Sequence, residues 1–230
     1  MPSKALIIPA AGAGKRMQRN TPKPFIKLQG RTILEHTLQK FVEVDGLEQV
    51  IIATSTAYIN EATSVLAKAV PGSVSWDCIE GGAERQQSVF KALQKIADLD
   101  LVMIHDAVRP FIKKQHIYDC CKKASESGAA ILGIPAKDTI KKVDANGVVV
   151  ETPDRSSLWQ VQTPQVFQTP LIKQAHAKAA EQNHPATDDA SLVEWIGKPV
   201  HMVQGSVDNI KITYPRDLQQ AKIIFGNQNF

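Results

Sequence analysis

Short apolar runs alternate with helix-period segments along most of this 230-residue chain. Residues 5–8, 50–53, 75–79, 101–104 and 129–134 are continuous apolar or β-rich runs, the pattern of parallel strands buried on both faces. Amphipathic helices lie between them. Thr32-Ile33-Leu34-Glu35 is a capping box, and Ile33, Leu34, Leu38, Phe41 and Val42 fall on one face of the helix it opens. Residues 84–96 set Val89, Leu93 and Ile96 on one stripe, and residues 115–125 form a third helix. Strand–helix–strand order at this spacing predicts an α/β domain with a Rossmann-like, doubly wound and mostly parallel sheet. Such sheets bind ligands beyond the carboxyl ends of their strands.

One stretch breaks the rhythm. Residues 139–150 alternate polar and apolar side chains around Asn146-Gly147, a type I′ hairpin signal, and a polar stretch follows to residue 157. The pattern then returns to helices at 171–181 and 188–195, strands at 200–203 and 210–213, and a last helix from near Pro215. With no internal repeat, low-complexity tract or linker, residues 1–230 read as one domain. Residues 137–158 project from it as a β-hairpin arm.

Composition narrows the partners. The hydrophobic and charged fractions, 43% and 22%, are those of a soluble globular protein. The net charge of +4 suits an anionic small molecule and, spread as it is, does not suit a nucleic acid. The apolar run at 5–8 ends at Pro9 and is too short for a secretory or membrane-spanning segment, so no membrane partner is expected. Cys78, Cys120 and Cys121 have neither a metal-ligand spacing nor a good bridging geometry. They read as reduced thiols in a cytoplasmic protein.

Candidate chemistry begins after the first strand, at Pro9-Ala10-Ala11-Gly12-Ala13-Gly14-Lys15-Arg16-Met17. Small residues there let backbone N–H groups approach an anion, and Lys15 and Arg16 add charge. A dinucleotide fingerprint would need glycine at Met17, which argues against a nicotinamide oxidoreductase. A Walker loop would need glycine at Pro9 and Ser or Thr at Arg16. Taken alone, the loop reads equally as a tight turn without a ligand. Downstream, Thr21-Pro22-Lys23-Pro24 stiffens the backbone around one lysine.

The combination A-A-G-x-G-x-R-M…P-K resembles the nucleotidyltransferases that build sugar nucleotides and CDP-alcohols. Three further segments narrow it: Gly81-Gly82-Ala83-Glu84-Arg85-Gln86-Gln87-Ser88-Val89, His105-Asp106-Ala107-Val108-Arg109-Pro110 and Asp208-Asn209-Ile210-Lys211-Ile212-Thr213. Together they resemble the 2-C-methyl-D-erythritol 4-phosphate cytidylyltransferase family of the non-mevalonate isoprenoid pathway, from the first strand to the last helix.

That resemblance implies CTP and a small polyol phosphate as substrates, a homodimer, and Mg²⁺ or another divalent cation as cofactor. It places the nucleotide against Pro9, Ala10, Ala11, Gly12, Ala13, Gly14, Lys23, Gly81, Gly82, Arg85, Ser88, Asp106, Ala107 and Lys211, with the helix N-terminus after Gly82 favouring an anion. Arg16 and Lys23 then stabilise transition-state charge, while Lys211 and Arg155 position the incoming phosphate. Asp106, Arg109, Thr139, Thr163, Thr187 and Asp208 complete the polyol side, with Arg155 reaching the neighbouring subunit's site. Asp106 ends an apolar strand, where a carboxylate suits Mg²⁺ on a triphosphate. His105 reads as a hydrogen-bonded structural histidine, and Thr187 equally as a helix N-cap. Another polyol phosphate, such as ribitol 5-phosphate, and a non-catalytic nucleotide-binding module stay open as alternatives, and some family members carry an acidic residue where this chain has Ala83.

Overall fold

A computed structural model describes residues 1–12, 17 and 21–227. Ala13, Gly14, Lys15 and Arg16 lie outside the described residues. Seven strands form the central sheet: β1 Lys4–Pro9, β4 Leu47–Thr54, β5 Ser75–Glu80, β6 Leu101–Ile104, β7 Ala129–Pro135, β10 Trp159–Gln168 and β11 His201–Gln204. Two short ribbons accompany it, β2 Lys27–Leu28 with β3 Arg31–Thr32 and β8 Lys142–Val143 with β9 Val149–Glu151. The helices are α1 Ile33–Gln39, α2 Ile59–Ala69, α3 Arg85–Leu93, α4 Lys114–Ser127, α5 Thr169–Glu181, α6 Asp189–Trp195 and α7 Pro215–Asn227.

The sheet order is β11-β7-β10-β6-β1-β4-β5. Its pairs are parallel, except that β10 runs antiparallel to both β6 and β7. Alternation along each buried strand divides the core in two. Leu6, Ile8, Val50, Ile52 and Met103 pack with residues of α1, α2 and α4 on one face. Ala5, Ile7, Ile51, Val102 and Ile104 pack with α3, α5 and α6 on the other. Both Leu6 and Ile7 are fully buried, so truncating either to Ala removes about 2–5 kcal/mol of stability. A smaller cluster of Ile26, Leu28, Ile33, Phe111 and Ile212 seats α7 near the site end of β6.

The doubly wound reading holds, with local corrections. Residues 210–213 form no strand; the Ile212 N–H bonds the Val108 carbonyl at 2.9 Å and the Thr213 N–H bonds Asp217 Oδ2 at 2.8 Å. β10 was not legible because Pro164 interrupts it, and proline usually argues against a central strand. The sheet admits it at a break in register between Val161 and Gln165, beside a cis Thr163–Pro164 peptide. α2 was missed because its stripe is sparse, with only Ala62, Val65 and Leu66 buried.

The hairpin forms, but its turn is not type I′. Asn146 has no positive φ; Gly147 alone adopts +81°, with its N–H bonded to the Asp144 carbonyl at 3.1 Å. Asp144 Oδ1 accepts from the N–H groups of Asn146 and Val148 at 2.9 Å each. This is a type I turn followed by a left-handed glycine, which the aspartate side chain favours. Ile140, Val143, Val148, Val149 and Val150 are all exposed, so the arm stands off the body. Cys78, Cys120 and Cys121 are free thiols, the last two buried.

Candidate active site

Four loops meet where β1, β4, β5 and β6 end. Because β10 runs in reverse, its first half arrives at the same rim, and Gln165 pairs with Ile104. The loop after β1 keeps Ala10 buried and Gly12 exposed. Gly81 and Gly82 follow β5. A Cβ at Gly81 would strike Ala11 and Ser88, and one at Gly82 would strike Gln87. The missing side chains therefore admit protein atoms that weld this loop to α3. Gln87 Oε1 accepts from the N–H of Ala83 at 2.9 Å, so one of the N–H groups leading into α3 is already occupied. Ser88 is buried, accepting from Gly82 N–H and donating to the Glu84 carbonyl, both at 3.0 Å.

Asp106 is the electrostatic centre. Lys211 Nζ stands 3.0 Å from Oδ2, Arg109 Nε 3.4 Å from the same oxygen, and Arg85 Nε 3.4 Å from Oδ1. Burial alone would raise this carboxyl's pKa, but Lys211, Arg85 and Arg109 outweigh it and hold it well below the usual carboxylate range. Its position is fixed from behind. Thr163 Oγ1 accepts from the Asp106 N–H at 3.1 Å and lies 3.0 Å from His105 Nδ1, while His105 Nε2 lies 3.0 Å from the Arg109 carbonyl. A carbonyl only accepts, so Nε2 carries the proton and Nδ1 receives the Thr163 hydroxyl. Burial lowers the His105 pKa to about 4, so the ring is neutral and structural at neutral pH.

Two cavities open on this centre. The first, about 160 Å³, is lined by Pro9, Ala10, Ala11, Gly12, Lys23, Gly82, Ser88 and Ala107, among others. The second, about 320 Å³, includes Arg109, Val161, Gln162, Thr163, Gln165, Thr187 and Asp188. Arg85, Asp106 and Lys211 line both. Lys23 is presented by a single 3-10 turn, Lys23–Phe25, with Pro22 and Pro24 on either side.

The sequence-derived residues thus largely converge. Ala13, Gly14 and Arg16 lie outside the described residues, and Gly81 supports the first cavity from behind. Thr187 lines the second cavity, and the capping role read for it belongs instead to Asp188, whose Oδ1 accepts from Ser191 N–H at 2.9 Å. Asp208, exposed in the turn before Lys211, lines neither cavity. Nor do Thr139 and Arg155, which sit on the arm; Arg155 Nη1 bonds the Lys137 carbonyl at 3.1 Å. Sequence reasoning passed over Gln162 and Asn209. Asn209 is fully buried and donates to Gln162 Oε1 and the Thr163 carbonyl at 3.2 and 3.0 Å, and its own carbonyl accepts from Arg109 at 2.7 Å. It thereby ties the Lys211 segment to β10. The signal was present in the quoted Asp208-Asn209 pair, but a buried amide looks like any loop asparagine.

No group of three or more His, Cys, Asp or Glu side chains suited to a metal occurs among the described residues. Asp106 is the one carboxylate lining both cavities, and its oxygens already face three cations. Such a donor set fits a magnesium ion that brings phosphate oxygens and water with it, and does not fit an ion held by protein alone.

The chain is similar to known proteins along nearly its whole length. A protein from Halalkalibacterium halodurans named 2-C-methyl-D-erythritol 4-phosphate cytidylyltransferase is 44% identical over 224 residues, covering 97% of each chain. One of the same name from Bacillus mycoides is 45% identical over 220 residues, 94% of this chain and 95% of its own. The crystal structure of 4-diphosphocytidyl-2C-methyl-D-erythritol synthase from Anaerococcus prevotii superposes with a TM-score of 0.87 at 28% identity, covering 98% of this chain and 96% of that one. The cytidylyltransferase of Thermus thermophilus gives 0.77 at 34% identity, with 96% and 98% covered. The family profile described as 2-C-methyl-D-erythritol 4-phosphate cytidylyltransferase matches residues 4–227, and the chain belongs to that family.

Proposed function

We propose that the cleft transfers the cytidylyl group of CTP to the phosphate of 2-C-methyl-D-erythritol 4-phosphate, releasing pyrophosphate. The observation that carries this reading is the meeting of two cavities at Arg85, Asp106 and Lys211, where cations predominate. The attacking group is the substrate's own phosphate, largely a dianion at neutral pH because its second pKa lies near ~6. It needs no general base, in keeping with a neutral, buried His105. One phosphate oxygen bonds to the α-phosphorus, and the bond from that phosphorus to the bridging oxygen breaks. Pyrophosphate leaves with the electron pair. The protein's task is to align two polyanions and stabilise charge as it shifts.

Lys23, together with Arg16, serves the triphosphate beside the loop from Pro9 to Gly14. Gly81, Gly82, Ser88 and Ala107 shape the nucleotide side. Lys211 and Arg109 draw the incoming phosphate toward Asp106, with Thr163, Thr187 and Asp208 on the polyol side. Asp106 would hold the magnesium ion, which when bound neutralises triphosphate charge. The working form is a homodimer in which the arm, residues 137–158, carries Arg155 and Thr139 to the neighbour's site. Its exposed valines and the absence of both residues from their own chain's two cavities support that arrangement. The three free thiols fit a reducing cytoplasm.

Pyrophosphate release from each nucleoside triphosphate, with Mg²⁺ and a panel of polyol phosphates, tests the reading. Release with CTP and methylerythritol phosphate alone is expected. Preference for ribitol 5-phosphate would reassign the substrate, and no release with any pair would reduce the cleft to a binding module.

A further inference from the structure

Asp189 lines neither of the two cavities, yet it holds a side chain that stands at their junction. Arg85 is the first residue of α3 and lies between two carboxylates on different elements. Its Nη1 bonds Asp189 Oδ2 at 2.7 Å, whereas its Nε approaches Asp106 Oδ1 only to 3.4 Å. The shorter contact is the more deeply buried one, since the Asp189 side chain is 1% exposed against 10% for Asp106.

Asp189 is itself immobilised. Its second oxygen, Oδ1, accepts from His176 Nε2 at 3.1 Å, and His176 is also buried. Its backbone N–H and that of Ala190 donate to Gln165 Oε1, both at 3.1 Å, which fastens the start of α6 to β10. With both oxygens engaged, the carboxylate cannot rotate without losing a bond. Burial would raise its pKa, but the Arg85 charge and the His176 hydrogen bond keep it low.

We infer that Asp189 is a positioning residue for the transfer reaction, a buried tether that fixes the Arg85 guanidinium between the two substrate cavities. The inference rests on the assignment of the cleft made above. Without the tether, Asp106 is the one carboxylate left for Arg85. The guanidinium then closes on it, competing with Lys211 and Arg109 and leaving the junction misaligned. Misplacement of a group that orients reacting phosphates affects turnover more than substrate capture.

The test is a double-mutant cycle on the full-length protein, with kcat, the KM of each substrate and Tm measured for every variant. Arg85→Gln and Asp189→Asn should each lower kcat by about 10- to 100-fold, with smaller changes in KM. The Arg85→Gln/Asp189→Asn pair should be no slower than Arg85→Gln alone, because the tether acts only through the arginine. Losses that multiply in the double variant would overturn the tether. Wild-type turnover in Arg85→Gln would remove Arg85 from the site, and the inference with it. Asp189→Asn leaves a buried cation short of its partner and can unfold the chain. Asp189→Glu keeps the charge and displaces it by one methylene; it should lower kcat with a smaller loss of Tm than Asp189→Asn, and wild-type kcat there would overturn the tether as well.

Discussion

Valine behaves oppositely in two parts of this molecule. Val50 and Val102, in the parallel strands, are fully buried, whereas Val143, Val148, Val149 and Val150 on the arm are each more than half exposed. The parallel strands find cover on both faces from helices of their own chain. The arm has a β pattern and, among the described residues, no helix over it. A row of exposed valines is poor economy for an isolated chain and sensible for a surface that another copy covers. The same division runs through the site: Lys23, Asp106 and Lys211 converge within one chain, while Arg155 and Thr139 sit on the arm.

Four experiments break or sharpen that contrast. Lys23→Ala and Lys211→Ala, on the body side, should each lower kcat by about 10²–10³, the usual loss for one preorganised charge-stabilising donor. Steady-state pyrophosphate release measures it, and near-normal turnover would detach the residue from the chemistry. On the arm, Val149→Asp would place an unpaired charge in the proposed dimer contact and should weaken association by about 100-fold or more, read by sedimentation. Unchanged association would mean that the valines serve something other than the dimer.

The third experiment concerns the body's rigidity. Because the folded His105 titrates near 4, below its ordinary value of 6.5, the unfolded chain takes up a proton first as pH falls. Stability linked to this ring is present above pH 6.5 and lost as pH drops toward 4, roughly 2 kcal/mol between pH 7 and pH 5. Denaturant titrations at both pH values should show that loss, and a His105→Gln variant should show less of it. The smallest effect joins the two regions. Inactive Arg155→Ala and Lys23→Ala chains, mixed and allowed to exchange, should recover about a quarter of wild-type activity if each arm serves its neighbour. No recovery, with exchange verified by mass, would place each site within one chain.

The parallel half of the sheet could be read from sequence because burial on both faces leaves long, unbroken apolar runs such as those at 5–8 and 101–104. β10 could not. Pro164 argues against a strand by every local rule, and only the register break that absorbs it, visible in three dimensions, reconciles the two. Likewise Asp106 was legible as a charged residue just beyond an apolar strand, and Lys211 through the family motif that contains it. Asp189 and Asn209 were not, since their importance comes from complete burial beside partners about a hundred residues away, Arg85 and Arg109. Local sequence carries no trace of such pairings. The turn at Asn146-Gly147 failed for a subtler reason: Asp144, two residues earlier, caps the backbone and selects a different turn from the one the dipeptide favours.

The reversed direction of β10 also shapes how the fold can vary. Everything between Pro135 and Trp159 leaves the sheet and returns to it at the rim that bears Asp106, so length can change there without disturbing the layered interior. A shift of the hairpin is delivered through continuous backbone into Thr163 and Gln165, the residues that brace Asp106 and the start of α6. In the proposed dimer, that single strand would mechanically link subunit docking to active-site geometry.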